Sequence, residues 1–124
     1  MSKFYRCEEC KSVFLKTYCP GAAAAGESKL KELIPGTSDG AAEKHVPVVK
    51  VEGDTVKVTV GAVEHPMLEE HFITFIYLET EKGGQLANLK PGQPPRAEFK
   101  LAAGDKPVAV YEYCNLHGLW KADV

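Results

Sequence analysis

Between His45 and Val60 the chain switches to a period of two: Val49 and Val51, a turn at Glu52-Gly53-Asp54-Thr55, then Val56, Val58 and Val60 with lysine and threonine between them. Successive side chains on a strand point to opposite faces, so this pattern predicts a β-hairpin with one face buried. Further β-rich runs follow at HFITFIYLET (71–80), RAEFKLA (96–102) and PVAVYEY (107–113), and GLWKA (118–122) reads as a short last strand. Gly/Pro-rich turns such as Lys82-Gly83-Gly84 and Lys90-Pro91-Gly92 separate them. Short strands at regular spacing, without helices between them, predict an all-β antiparallel sandwich or barrel.

The first part of the chain is built differently. Residues 1–20 hold three of the four cysteines, in CEECKSVFLKTYCP, and are followed by GAAAAGES, small residues that cannot form a core. This predicts a short N-terminal module with a flexible joint behind it. Residues 28–34 are expected to make one or two helical turns ended by Pro35-Gly36, and residues 40–44 to be mostly loop. The expected division is an N-terminal segment and linker over 1–36 and a β domain over 37–124.

At 124 residues there is room for one ordinary core and a small appendage. Charged residues make up 26% and the net charge is −2, which supplies neither a basic footprint for nucleic acid nor an acidic tail. No stretch approaches the roughly 20 apolar residues that cross a bilayer, and MSKFYRCEEC lacks the apolar run of a secretory signal. A cytoplasmic location is therefore expected, with neither a membrane nor a nucleic acid as partner. In a reducing compartment, four cysteines point to thiols or metal ligands rather than a disulfide framework.

All four histidines and the last cysteine fall in four short segments: His45 in EKHVP, His65 in EHPM, His71 in EEHF, and Cys114 with His117 in CNLHG. Each lies at the edge of a predicted strand, where loops can converge on one end of a sandwich. A lone histidine is more often a surface or core residue than a ligand, so no single segment decides the matter. Cys114 and His117 form the stronger pair, because a two-residue gap lets one tight turn aim thiolate and imidazole at the same ion. Four imidazoles and one thiolate exceed the usual coordination number of zinc and suit a redox-active iron with an open position.

The runs TSDGAAEKHVPVV (37–49), GAVEHPM (61–67), LKPGQ (89–93) and YCNLHGLWK (113–121) resemble those of the desulfoferrodoxin or superoxide reductase family, over roughly residues 30 to 122. That resemblance implies a seven-stranded immunoglobulin-like β-sandwich and one iron per chain. It makes His45, His65, His71 and His117 the equatorial ligands and Cys114 the axial one. It further implies reduction of superoxide to hydrogen peroxide, an external rubredoxin-type electron donor, and a homodimer. Glu43 would close the sixth position on ferric iron and Lys44 would draw in the superoxide anion. An anionic thiolate pushes electron density onto the iron, and N–H groups of Leu116 and His117 are expected around the sulfur to tune that push. The rival readings are a non-catalytic electron carrier, a metal-stabilised structural module, and a dismutase.

Cys7-Glu8-Glu9-Cys10 has the spacing of a metal knuckle, and two-iron members of the family hold a second iron there with four cysteines. This chain departs from that pattern, since only Cys19 follows and Tyr18 stands where its neighbouring cysteine would be. A second iron is not expected. Cys7, Cys10 and Cys19 are left as a vestigial knuckle, as a three-cysteine site completed from elsewhere, or with Cys7 and Cys10 as a redox pair.

Overall fold

A computed structural model of the chain describes residues 2–18, 20 and 29–124, in two compact units, Met1–Ile34 and Pro35–Val124. In the first unit, strands β1 (Lys3–Cys7), β2 (Val13–Lys16) and β3 (Leu30–Leu33) form an antiparallel sheet in the order β2-β1-β3. The helical turns expected over 28–34 are thus replaced, within the described residues, by a strand that pairs Leu33 with Phe4 and Leu30 with Cys7. The open edge of β1 supplies ladder hydrogen bonds that outweigh the weak helix preference of a four-residue segment.

The second unit begins with a single helical turn, α1 (Ala42–His45), inside the segment expected to be loop. Seven strands follow: β4 (Pro47–Glu52), β5 (Thr55–Val60), β6 (Ile73–Thr80), β7 (Gly83–Asn88), β8 (Arg96–Lys100), β9 (Pro107–Cys114) and β10 (Gly118–Asp123). They make a four-stranded sheet, β10-β9-β6-β7, and a three-stranded sheet, β4-β5-β8, every pair antiparallel. This is a seven-stranded immunoglobulin-like sandwich, as the resemblance implied. The β4–β5 hairpin turns at Gly53-Asp54 with Glu52 opposite Thr55, where the valine alternation placed it.

The core gathers Val56, Val58 and Val60 of β5, Ile73, Ile76 and Leu78 of β6, Phe99 of β8, and Val110 and Cys114 of β9. Fully burying an aliphatic side chain of this kind contributes about 1.5–3 kcal/mol. Ile73 and Ile76 are three residues apart yet both face inward, because the β6–β9 register shifts between Ile73 and Phe75. Such a bulge changes the parity of a strand without breaking the sheet. It lets β6 enter the core immediately after His71. The turn read at Lys82-Gly83-Gly84 is shorter than expected: Gly83 and Gly84 belong to β7, and a Cβ on Gly84 would collide with the Tyr77 ring.

Candidate metal centre

The ends of β5 and β9 and the beginnings of β4, β6 and β10 share one end of the antiparallel sandwich, and their connections carry the predicted ligands. His45 closes α1, His65 lies in the tight turn after β5, His71 precedes β6, Cys114 ends β9 and His117 sits in the turn into β10. One donor atom each from His45, His65, His71 and Cys114 lie within 4.8 Å of one another. His117 falls outside that group of atoms, but its ring completes a circuit of imidazoles. Ring centroids are 4.7 Å apart for His45 and His65, 4.7 Å for His65 and His71, 5.1 Å for His71 and His117, and 5.0 Å for His117 and His45. Neighbouring rings meet edge to face throughout. Four rings standing like paddles around a common centre leave a square that could hold an ion, with the Cys114 sulfur grouped beside three of them.

Backbone carbonyls set the rings. His45 Nδ1 lies 2.8 Å from the Ala41 carbonyl, His65 Nδ1 2.7 Å from that of Pro66, and His117 Nδ1 2.7 Å from that of Asp39. When Nδ1–H donates to a carbonyl, Nε2 keeps its lone pair, the usual arrangement of a histidine ligand. The Nε2 atoms of His45 and His65 are only 3.1 Å apart. Two lone pairs at that distance repel unless a cation sits between them. His71 Nε2 is buried with no hydrogen-bond partner, and a buried nitrogen without a partner costs about 1–3 kcal/mol. A bound metal ion removes both penalties.

Electrostatics point the same way. Burial is the main cause that pulls His65 down to about 4, and the positive charge a neighbouring imidazole would carry adds to it. Burial likewise lowers His45 and His71, with smaller contributions from other imidazoles and from Lys44. The rings of His45, His65 and His71 are therefore neutral and able to ligate at physiological pH. Burial pushes the Cys114 thiol up, while hydrogen bonds from the backbone N–H groups of Leu116 and His117 pull it down. Those are the two donors expected from the sequence. A metal cation would tip that balance to the thiolate.

Glu43 and Lys44 are held by their backbone. The Lys44 N–H donates to the Ala41 carbonyl, and the Val63 N–H donates to that of Glu43. Gly61, at φ +88°, makes the second contact possible, since a Cβ there would collide with the carbonyls of Val63 and Lys44. The two side chains are exposed, and the Lys44 charge acts on both His45 and His71. Lys44 is thus an exposed cation immediately before the ligand candidate His45.

Other residues that build the centre had no assigned role in the sequence. Asn115 clamps two ligand loops: its Oδ1 accepts from the Phe72 N–H at 2.9 Å, its Nδ2 donates to the Glu70 carbonyl at 3.1 Å, and its own N–H donates to the Phe72 carbonyl. Trp120 stacks on the His45 ring at 5.0 Å and donates from Nε1 to the His117 carbonyl. Gly40 packs where a Cβ would press on the rings of His45 and His117. Glu112 is fully buried with both carboxyl oxygens unpartnered, and burial raises its pKa well above the usual carboxylate range. Strand parity was the available signal for Glu112, two residues before an inward Cys114. Cys7 and Cys10 lie in the N-terminal unit and Cys19 lies outside the described residues.

A donor set of imidazoles and one thiolate, buried at one end and reached by solvent at the other, fits a mononuclear iron site. The sequence pattern of the Desulfoferrodoxin family matches residues 37–123. The chain is 46% identical over 123 residues to the desulfoferrodoxin of Nitratidesulfovibrio vulgaris, covering 98% of this chain and 95% of that one. It is 38% identical over 112 residues to the superoxide reductase of Pyrococcus horikoshii, covering 77% and 96%. Among solved structures, the superoxide reductase from Treponema pallidum superposes with a TM-score of 0.78 at 45% identity, over 89% of this chain and 93% of that one. That from Giardia intestinalis gives 0.57 at 34% identity, over 66% and 97%. The chain belongs to the desulfoferrodoxin family.

Proposed function

We propose that the chain is a superoxide reductase, adding one electron and two protons to superoxide to give hydrogen peroxide. The observation that carries this reading is the circuit of four imidazole rings with the buried Cys114 sulfur grouped beside three of them. Iron bound there would supply the single electron by cycling between ferrous and ferric states. His45, His65, His71, His117 and Cys114 would hold it. His45, His65 and His117 would present the nitrogen opposite the one that donates to a carbonyl.

Lys44 attracts the anionic substrate to the mouth and holds it over the square. Its ammonium also orders water through which protons reach the reduced oxygen. Glu43, next to Lys44 in the chain and fixed through its backbone carbonyl by the Val63 N–H, would offer a carboxylate to the bound iron. The N–H groups of Leu116 and His117 limit how much charge the Cys114 sulfur donates. Leu116 is exposed, adjacent to Asn115 and two residues from Cys114, so a donor of rubredoxin type touching it has a short covalent route to the sulfur.

Metal analysis and a visible spectrum, taken before and after oxidation of wild type and Cys114→Ser, test the assignment. One iron per chain is expected, with a thiolate-to-iron absorption that appears on oxidation and is missing in the variant. Zinc alone, with no iron uptake on anaerobic reconstitution, would leave a structural module.

A further inference from the structure

The mechanism leaves one pair of nucleophiles unused, the free thiols of Cys7 and Cys10 at the tip of the β1–β2 hairpin. Their turn is tightly closed. The Lys11 N–H donates to the Cys7 carbonyl at 2.8 Å, the Cys7 N–H donates to the Ser12 carbonyl at 2.9 Å, and the Cys10 N–H donates to Cys7 Sγ at 3.4 Å. Lys11 takes a left-handed φ of 64° to complete the turn. The turn brings the Cys7 sulfur against the Cys10 backbone, and a disulfide needs the two Cα atoms within about 7 Å of each other.

The two sulfurs differ in exposure and environment. Cys10 is exposed and Cys7 half-buried. Cys10 Sγ lies 3.2 Å from Ser12 Oγ, whose hydroxyl donates to the sulfur once the thiol proton is lost. Hydrogen bonds from the Ser12 side chain, the Ser12 backbone and Cys7 bring Cys10 down to about 7. Glu8, one of the two carboxylates between the cysteines, is drawn to Arg6 at 3.0 Å, which reduces its opposition to a thiolate. Among the described residues, no group of three or more metal-ligating side chains gathers around this pair. Two sulfurs alone do not make a structural zinc or iron site.

We propose that Cys7 and Cys10 form a peroxide-sensitive dithiol, with Cys10 as the attacking and Cys7 as the resolving residue. The Cys10 thiolate attacks one oxygen of hydrogen peroxide: an S–O bond forms, the O–O bond breaks, and hydroxide leaves and is protonated to water. Cys10 is then a sulfenic acid. The Cys7 sulfur attacks the Cys10 sulfur, the S–O bond breaks, and the Cys7 proton departs with the hydroxyl group as a second water. The pair gives up two electrons and peroxide takes up two. A dithiol reductant of thioredoxin type restores the thiols. Peroxide is also the product of the activity proposed above, which would make the pair a sensor of turnover. Only that source rests on the earlier reading, because the chemistry accepts peroxide from any origin.

The test uses the metal-loaded full chain. Trypsin cuts after Arg6 and after Lys11, releasing Cys7-Glu8-Glu9-Cys10-Lys11, a peptide that holds these two cysteines and no other. The protein is treated with added hydrogen peroxide, alkylated, digested and weighed, without superoxide, so the result is independent of the reductase reading. The expected product is this peptide lighter by two hydrogens and closed to alkylation, with both thiols recovered after dithiol reduction. In Cys7→Ser the expected product is a Cys10 sulfenic acid trapped by a 1,3-dione, and Cys10→Ser stays unoxidised at Cys7. Full alkylation of both thiols after peroxide would overturn the proposal. A disulfide to Cys19, or metal beyond that of the main centre lost in Cys7→Ser, would overturn it too.

Discussion

Asn115→Ala isolates the contact that fastens the His71 loop to the Cys114–His117 turn. The substitution removes the bond from the Phe72 N–H at 2.9 Å and the bond to the Glu70 carbonyl at 3.1 Å, and spares the backbone bond from Asn115 to Phe72. A hydrogen bond of this type contributes about 0.5–1.5 kcal/mol net, and water can replace part of each one here because the groups are near the surface. The expected loss is therefore about 1–2 kcal/mol. For a unit of this size that lowers the melting temperature of the metal-free protein by roughly 4–10 °C. The same free energy, lost from the alignment of His71 with Cys114, weakens metal affinity about 5- to 30-fold. Melting curves of the metal-free chain and competition with a chelator read the two effects separately. Asn115→Asp, which keeps an acceptor for Phe72 but faces the Glu70 carbonyl with a second oxygen, should lose at least as much. A melting point within about 1 °C of wild type, together with unchanged metal affinity, would show that the loop is held by other contacts.

Two further outcomes follow from the charges around the centre. The folded metal-free chain holds His65 at about 4 instead of 6.5. The unfolded chain therefore binds more protons between those values, and stability falls as pH drops through that window. The loss is about 3 kcal/mol, with His45 and His71 acting in the same direction. Urea unfolding at pH 7 and pH 4 measures it, and a slope unchanged by His65→Gln would contradict the burial argument. Lys44→Ala should slow superoxide consumption about tenfold at low salt and remove much of its ionic-strength dependence. An unaltered rate and salt profile in stopped-flow measurements would take Lys44 out of substrate capture.

Much of the sandwich was legible because its strands alternate cleanly. The valines of β4 and β5 gave the hairpin and its turn, and the runs that became β6, β8, β9 and β10 announced themselves by β-branched and aromatic residues. β7 was hidden because Gly83 and Gly84 read as a turn. Gly84 is a strand residue whose missing side chain makes room for the Tyr77 ring, a contact across the sheet that local sequence does not contain. β3 was missed for a related reason, since Leu30–Leu33 is a strand only because β1 offers it an edge. His45, His65, His71 and Cys114 could be singled out from flanking residues, and the fold brings their donor atoms together. His117 joins them by its ring. Asn115 and Gly61 escaped notice because what they do is hold together loops that lie far apart in sequence.

The most direct test of a reductase at this centre is its product stoichiometry. The iron-loaded chain, kept reduced by a donor, is given superoxide, and hydrogen peroxide and dioxygen are measured together. One peroxide for every superoxide consumed, with no dioxygen released and with the yield lost in Cys114→Ser, is the expected result. Half as much peroxide, accompanied by dioxygen, would mean that the centre dismutates superoxide, and consumption unaffected by Cys114→Ser would remove the chemistry from this site altogether.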